Sequence, residues 1–136
     1  MSKPIPPVQK FMTTTPFVMA PSDTIKAAHE TMRRLNIRHL PICEGRKCVG
    51  VLSDGDLFRV EAVVSTDVSA TRVDAVMSRA VYSVSPTAPV DEIVSEMANK
   101  KLSSAVVVDN GQVVGVFTAT DALSAFAELL QTRLRH

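Results

Sequence analysis

Apolar positions along the chain change their spacing in the same order in two places. In the second place Val90, Ile93, Val94 and Met97 fall at i, i+3, i+4 and i+7, the stripe of an amphipathic helix. In the first, Ile25, Ala28, His29 and Met32 make the matching stripe, with Asp23 or Thr24 placed to cap it. Each helix is preceded by a short β-prone run, Phe17 to Met19 or Val81 to Val84, which Pro21 or Pro86 ends. Each is followed by two β-rich runs. These are His39 to Cys43 with Cys48 to Leu52, and Ala105 to Val108 with Val113 to Phe117. Turns at Gly45 and at Asn110-Gly111 join them as hairpins, Asn-Gly being a strong hairpin signal. A second helix starts at about Asp54 and again at about Ala119. The pattern predicts an α/β (α+β) fold, β-α-β-β-α made twice.

The two copies are 65 residues apart without a gap: Val8/Val73, Met12/Met77, Pro21/Pro86, Met32/Met97, Val49/Val114, Gly50/Gly115 and Asp56/Asp121 are identical pairs. Each pair marks the same structural event in both copies, which is worth more than the modest overall identity. The expected organisation is one repeat over 8–60, a Ser/Thr-rich linker over 61–72 and a second repeat over 73–131, together one module. A half of ~60 residues buries too little surface to stand alone, so the copies are expected to stack sheet against sheet. That arrangement is expected to carry two clefts related by a pseudo-twofold axis.

Composition narrows the function classes. In 136 residues, 46% are hydrophobic and 21% charged, and the formal net charge is +1, so no strong field points to nucleic acid or a membrane surface. Trp is absent and aromatics are 4%, which argues against a base-stacking surface. No apolar run is long enough to span a bilayer, and the start, Met1 to Pro7, lacks a secretory pattern; a cytoplasmic setting is expected. Cys43 and Cys48 flank a turn and could face each other across two strands. Their counterparts Val108 and Val113 mark them as small apolar strand positions, with a regulatory disulfide as the lesser reading.

Both copies end their last strand in one phrase: Gly50-Val51-Leu52-Ser53-Asp54-Gly55-Asp56 and Gly115-Val116-Phe117-Thr118-Ala119-Thr120-Asp121. One reading is a helix cap, since Ser or Thr followed three residues later by an acid approximates a capping box. The other uses the same atoms. A hydroxyl at a helix N-terminus lies where an anion is favoured, and a carboxylate one turn in can hold two adjacent sugar hydroxyls. Ser53 to Asp56 lacks the further ligands of a calcium loop, and His29, His39 and His136 show no metal-ligand spacing. There is no P-loop, nucleophile elbow or HExxH motif, so no enzyme activity is expected.

The double β-α-β-β-α pattern, the proline before each first helix and the Gly-x-x-[Ser/Thr]-x-x-Asp ending together resemble a tandem pair of CBS (cystathionine β-synthase) domains, a Bateman module. The resemblance spans roughly Val8 to Leu130, so no catalytic or channel domain is expected beside it. It implies a regulatory module that binds AMP, ADP, ATP or S-adenosylmethionine between the repeats, needs no cofactor and signals to a regulated protein by changing shape. It also implies that the motif Asp holds ribose and the motif Ser/Thr lies by the phosphates, which maps onto Asp56 with Ser53 and Asp121 with Thr118. Polar or basic residues opening the second strand of the partner repeat reach the phosphates: Arg38 and His39, or Ser103 and Ser104. The implied clefts then differ. One joins Asp121 to Arg38 and His39, with the better donors for phosphate. The other joins Asp56 to Ser103 and Ser104, with Asp54 opposing an anion.

The closing helix carries Ala122, Leu123, Ala125, Phe126, Ala127, Leu129 and Leu130, an apolar face wider than one core needs. Leu57, Phe58, Val60, Ala62, Val63 and Val64 match it in the first copy. A homodimer through these helices is expected. Two alternatives stay open. The module could be a ligand-free interaction unit whose Ser/Thr-x-x-Asp pairs serve only as caps, or a thiol-responsive regulator acting through Cys43 and Cys48.

Overall fold

A computed structural model describes residues 4–14, 17–63 and 65–133. In chain order it has α1 (Ile25–Leu35), β1 (His39–Glu44), β2 (Lys47–Ser53), α2 (Asp54–Glu61), β3 (Ser83–Val84), α3 (Val90–Lys100), β4 (Ser104–Asp109), β5 (Gln112–Thr118) and α4 (Ala119–Arg133). Short 3-10 turns at Val8–Lys10 and Val73–Ala75 precede the two copies. The fold is mixed α+β with two sheets, β1-β2 and β3-β4-β5. β2, β4 and β5 run one residue further at each end than their expected runs, and β1 one residue further at its end, because the ladder continues through the polar flanks Glu44↔Lys47, His39↔Ser53, Asp109↔Gln112 and Ser104↔Thr118.

The chain divides into two compact units that do not follow the sequence repeats. One is Phe17–Val81; the other joins Tyr82–His136 to Met1–Pro16. The arm that opens each copy is therefore built into the unit of the other copy. In the first unit, Thr71 and Val68 carbonyls accept from the amides of Ile25 and Lys26, while Thr24 Oγ1 and the Thr24 carbonyl accept from Ala27 and Ala28. The first three N–H groups of α1, which have no acceptor within the helix, are thus satisfied, and Ala28 makes the first i→i−4 bond. Thr24, not Asp23, is the cap; Asp23 instead accepts from the Ala20 amide at 2.7 Å. The second unit repeats the scheme, with Val90 N–H donating to Pro6 and Val8 N–H to Ala88. Within the stretch 61–72 expected as a linker, Val68 and Thr71 serve as acceptors for the start of α1.

The arms also pair with the strands. Thr13 exchanges both backbone hydrogen bonds with Val116 on β5, and Ser78 does the same with Val51 on β2. Beside each bridge a methionine lies over a glycine: Met12 over Gly115 and Met77 over Gly50. Both hairpins carry a register shift at equivalent positions, Ile42/Cys43 and Val107/Val108. Their turns differ. Asn110 and Gly111 both have positive φ, as a type I′ turn requires, whereas in the first hairpin only Gly45 does.

The opening strand of the first copy is shorter than its sequence predicts. In the second copy Ser83 and Val84 pair parallel with Val106 and Val107, and Val106 N–H donates to the Tyr82 carbonyl. The residue equivalent to Val106 is Pro41, which has no N–H to give, so the first copy keeps a single bridge, Met19↔Ile42. Each unit has its own core. Ile25, Leu40, Ile42, Leu52 and Val73 anchor one, and Val8, Ile93, Ala105, Val107 and Phe117 the other.

Candidate ligand-binding site

The two Gly-x-x-[Ser/Thr]-x-x-Asp phrases end β2 and β5 and begin α2 and α4. Ser53 Oγ accepts from the Asp56 amide at 3.1 Å, and Asp56 Oδ2 accepts from the Ser53 amide at 2.9 Å. Thr118 and Asp121 make the same pair of bonds at 3.1 and 2.9 Å. Both phrases are complete reciprocal caps, so the capping reading holds in geometry. Each cap uses Oδ2 of its aspartate, and the two copies diverge at Oδ1. Asp56 Oδ1 is held by the Arg59 guanidinium one turn on. Asp121 has Ser124 at that position. Its further donor is a neutral hydroxyl, Thr13 Oγ1, 3.2 Å from Oδ1 and 3.3 Å from Oδ2.

The strand-opening residues sit beside the motif of their own unit. The Arg38 carbonyl accepts from the Asp54 amide at 2.9 Å, and the Ser103 carbonyl from Ala119 at 3.0 Å. His39 is the cross-strand partner of Ser53, and Ser104 that of Thr118. One unit thus gathers Arg38, His39, Ser53 and Asp56, the other Ser103, Ser104, Thr118 and Asp121. Arg38 also faces Asp54, Nε to Oδ2 4.0 Å, an exposed pair of little energetic weight.

Thr13 is the site residue that motif reading missed. The 65-residue offset pairs it with Ser78, so a hydroxyl next to the repeated methionine was visible; that it meets Asp121 was not. His29, at an apolar-stripe position, is not a core residue. Its Nδ1 contacts Glu61 and its Nε2 faces Arg33 at 3.2 Å, an exposed polar chain joining α1 to α2. His136 and Val64 lie outside the described residues.

Cys43 and Cys48 are cross-strand partners and free thiols. Burial, then the neighbouring Cys48, pushes the Cys43 thiol up to about 11, and burial also raises Cys48. Both are protonated at neutral pH, which disfavours attack on an oxidant or disulfide. Among the described residues, no group of three or more His, Cys, Asp or Glu is placed to hold a metal. No helix among them is long and apolar enough to cross a membrane.

The apolar face of α4 points away from the core of its unit. No α4 residue is buried; Ala122 packs partly against the core. Leu123 and Phe126 are 68% and 56% exposed, and Leu129 and Leu130 are also exposed. In the first copy Leu57 is buried, while Phe58 and Val63 are exposed.

Comparison with known proteins agrees with this geometry. The chain is 26% identical over 98% of its length to inosine-5'-monophosphate dehydrogenase of Korarchaeum cryptofilum, of which it spans 27%. It is 27% identical over 84% of its length to the CBS domain-containing protein YhcV of Bacillus subtilis, of which it spans 81%. The CBS domain pair of protein MJ0100, solved with 5'-methylthioadenosine and S-adenosyl-L-methionine, matches with TM-score 0.79 and 29% identity over 93% of this chain and 99% of that one. The CBS domain profile matches residues 8–63 and 73–128, and the chain belongs to the CBS domain family.

Proposed function

We propose that the chain is a non-enzymatic sensor that binds an adenosine nucleotide or adenosyl ligand and passes its occupancy to a regulated protein as a change of shape. The observation that carries the choice of site is the contrast at Oδ1. A ribose diol reaching Asp56 must displace a guanidinium from its carboxylate, whereas at Asp121 it displaces only the Thr13 hydroxyl. Hydrogen bonds between charged partners are the stronger ones, so Asp121 is the cheaper carboxylate to engage. Thr118 lies with it for the phosphate or its equivalent. The adenosyl compounds bound by the MJ0100 domain pair support this ligand class. AMP, ADP, ATP and S-adenosylmethionine are the candidates, and no cofactor is called for. Ser103 and Ser104 are proposed to add to affinity beside Asp121, with Arg38, His39, Ser53 and Asp56 serving a weaker second site in the other unit. A ligand shifts the shape only through its different affinity for the two states. A cytoplasmic setting is part of this reading, consistent with two free thiols.

Titration calorimetry with AMP, ATP and S-adenosylmethionine tests it. Asp121→Ala is expected to weaken the best ligand by about tenfold or more, the loss of a charged hydrogen bond, and Asp56→Ala by less. Equal affinity in wild type and Asp121→Ala would remove Asp121 from the site. The complete caps favour a second reading, an interaction module without ligand, and the absence of saturable binding to any of the three would select it.

The exposed face of α4 is proposed to pair with a second copy. Four large apolar side chains on one helix are costly to leave in water. Phe126→Glu is expected to convert a dimer into a monomer by sedimentation velocity; an unchanged dimer would place the interface elsewhere.

A further inference from the structure

A cavity of about 580 Å³ opens between α1 and α2 within the Phe17–Val81 unit. Met32, Ile37 and Leu57 give it an apolar floor and Phe58 an apolar lip. Its polar lining is His29, Arg33, Arg38, Asp54, Arg59 and Glu61. The fold produces the same pair of helices in both copies, so a groove there would arise from architecture alone. The chemistry of this one does not. The six polar residues correspond, 65 positions on, to Val94, Ala98, Ser103, Ala119, Ser124 and Phe126. Asn36 and Gly55, whose counterparts are Lys101 and Thr120, run the other way.

The charges are also arranged. Arg38 faces Asp54, Arg59 is held by Asp56, and Glu61 is engaged by His29 Nδ1. Arg33 turns Nη2 to His29 Nε2, so the hydrogen-bonded series from Glu61 through His29 orients a guanidinium that has five donors. Phe58 is 78% exposed at the mouth, a ring left in water beside cations. The volume suits a small molecule.

We propose that this groove binds a compact organic anion, an apolar body seated on Met32, Leu57 and Phe58 with a phosphate or carboxylate head held by Arg33. It is a site apart from Thr118 and Asp121 and does not depend on the sensor reading. Planar guanidinium donors match either head bidentately, and the apolar body accounts for the floor and the exposed ring.

Amide NMR titration of the full chain with phenyl phosphate tests it, with benzoate to compare the head groups and inorganic phosphate and benzyl alcohol as the separate parts. Saturable shifts are expected at His29, Arg33 and Phe58 with phenyl phosphate or benzoate, and weaker ones with either part alone. Arg33→Gln is expected to weaken binding by about tenfold and Arg33→Lys by less, since a charged hydrogen bond is lost in one and partly kept in the other. Phe58→Ala is also expected to weaken it, while Asp121→Ala leaves it unchanged. No saturable shift with either aryl anion, equal affinity in Arg33→Gln, inorganic phosphate binding as well as phenyl phosphate, or shifts centred on Thr118 and Asp121 would each overturn the proposal. Failure of AMP, ATP and S-adenosylmethionine to bind would leave it standing.

Discussion

Phe117→Ala is expected to remove about 3–5 kcal/mol of stability, the usual cost of emptying an aromatic core position. Phe117 is fully buried on β5, among Val8, Ile93, Met97, Ala105 and Val107. Its strand pairs on one side with β4 and meets the arm through Thr13 and Val116, so the surroundings have little freedom to collapse into the cavity. A domain is stable by only ~5–15 kcal/mol, so the loss would bring the chain close to unfolding. Chemical denaturation followed by circular dichroism checks it. Phe58→Ala, at a largely exposed position, is the control and is expected to change stability by no more than about 0.5 kcal/mol. Similar midpoints for the two variants would show that Phe117 is not packed as described.

Gly115→Ala is expected to destabilise by about 1–3 kcal/mol through overpacking. A β-carbon there would stand 2.6 Å from Met12 Sδ and 3.0 Å from the Thr13 carbonyl oxygen. The sulfur can swing aside, but the carbonyl is fixed by its bond from Val116 N–H. Met12→Ala in the same chain is therefore expected to restore only part of the loss in denaturation midpoint. Full restoration would mean that the arm backbone does not approach β5 so closely, and no effect of Gly115→Ala would mean that it does not approach at all. The substitution also strains the residue that bonds Asp121, so ligand affinity at Asp121 would be expected to move with it.

Much of this was legible along the chain. The helical stripes from Ile25 and Val90, the hairpins around Gly45 and Asn110-Gly111, and both Ser/Thr-x-x-Asp phrases stand where local preference and periodicity put them. Local rules suffice there because the partners are a few residues apart. The shortened opening strand was readable in principle, since Pro41 cannot donate, but only once its partner was known. The outward turn of Leu123 and Phe126 was not readable, because a broad apolar face does not say which part meets the core. The side-chain chain from Arg33 through His29 to Glu61 was also out of reach, since Glu61 lies 32 residues from His29.

The arms show the division most clearly. The sequence alone established that Val8, Met12, Gly50, Val73, Met77 and Gly115 belong to one repeated plan. It could not say which body each arm joins, because Met12 over Gly50 and Met12 over Gly115 fit the same 65-residue offset equally well. The tertiary structure decided it: Met12 lies over Gly115 and Met77 over Gly50, and Thr13 thereby meets Asp121. A periodic pattern fixes what each residue is suited to touch. Which of two equivalent partners it reaches is set by the path of the connecting chain.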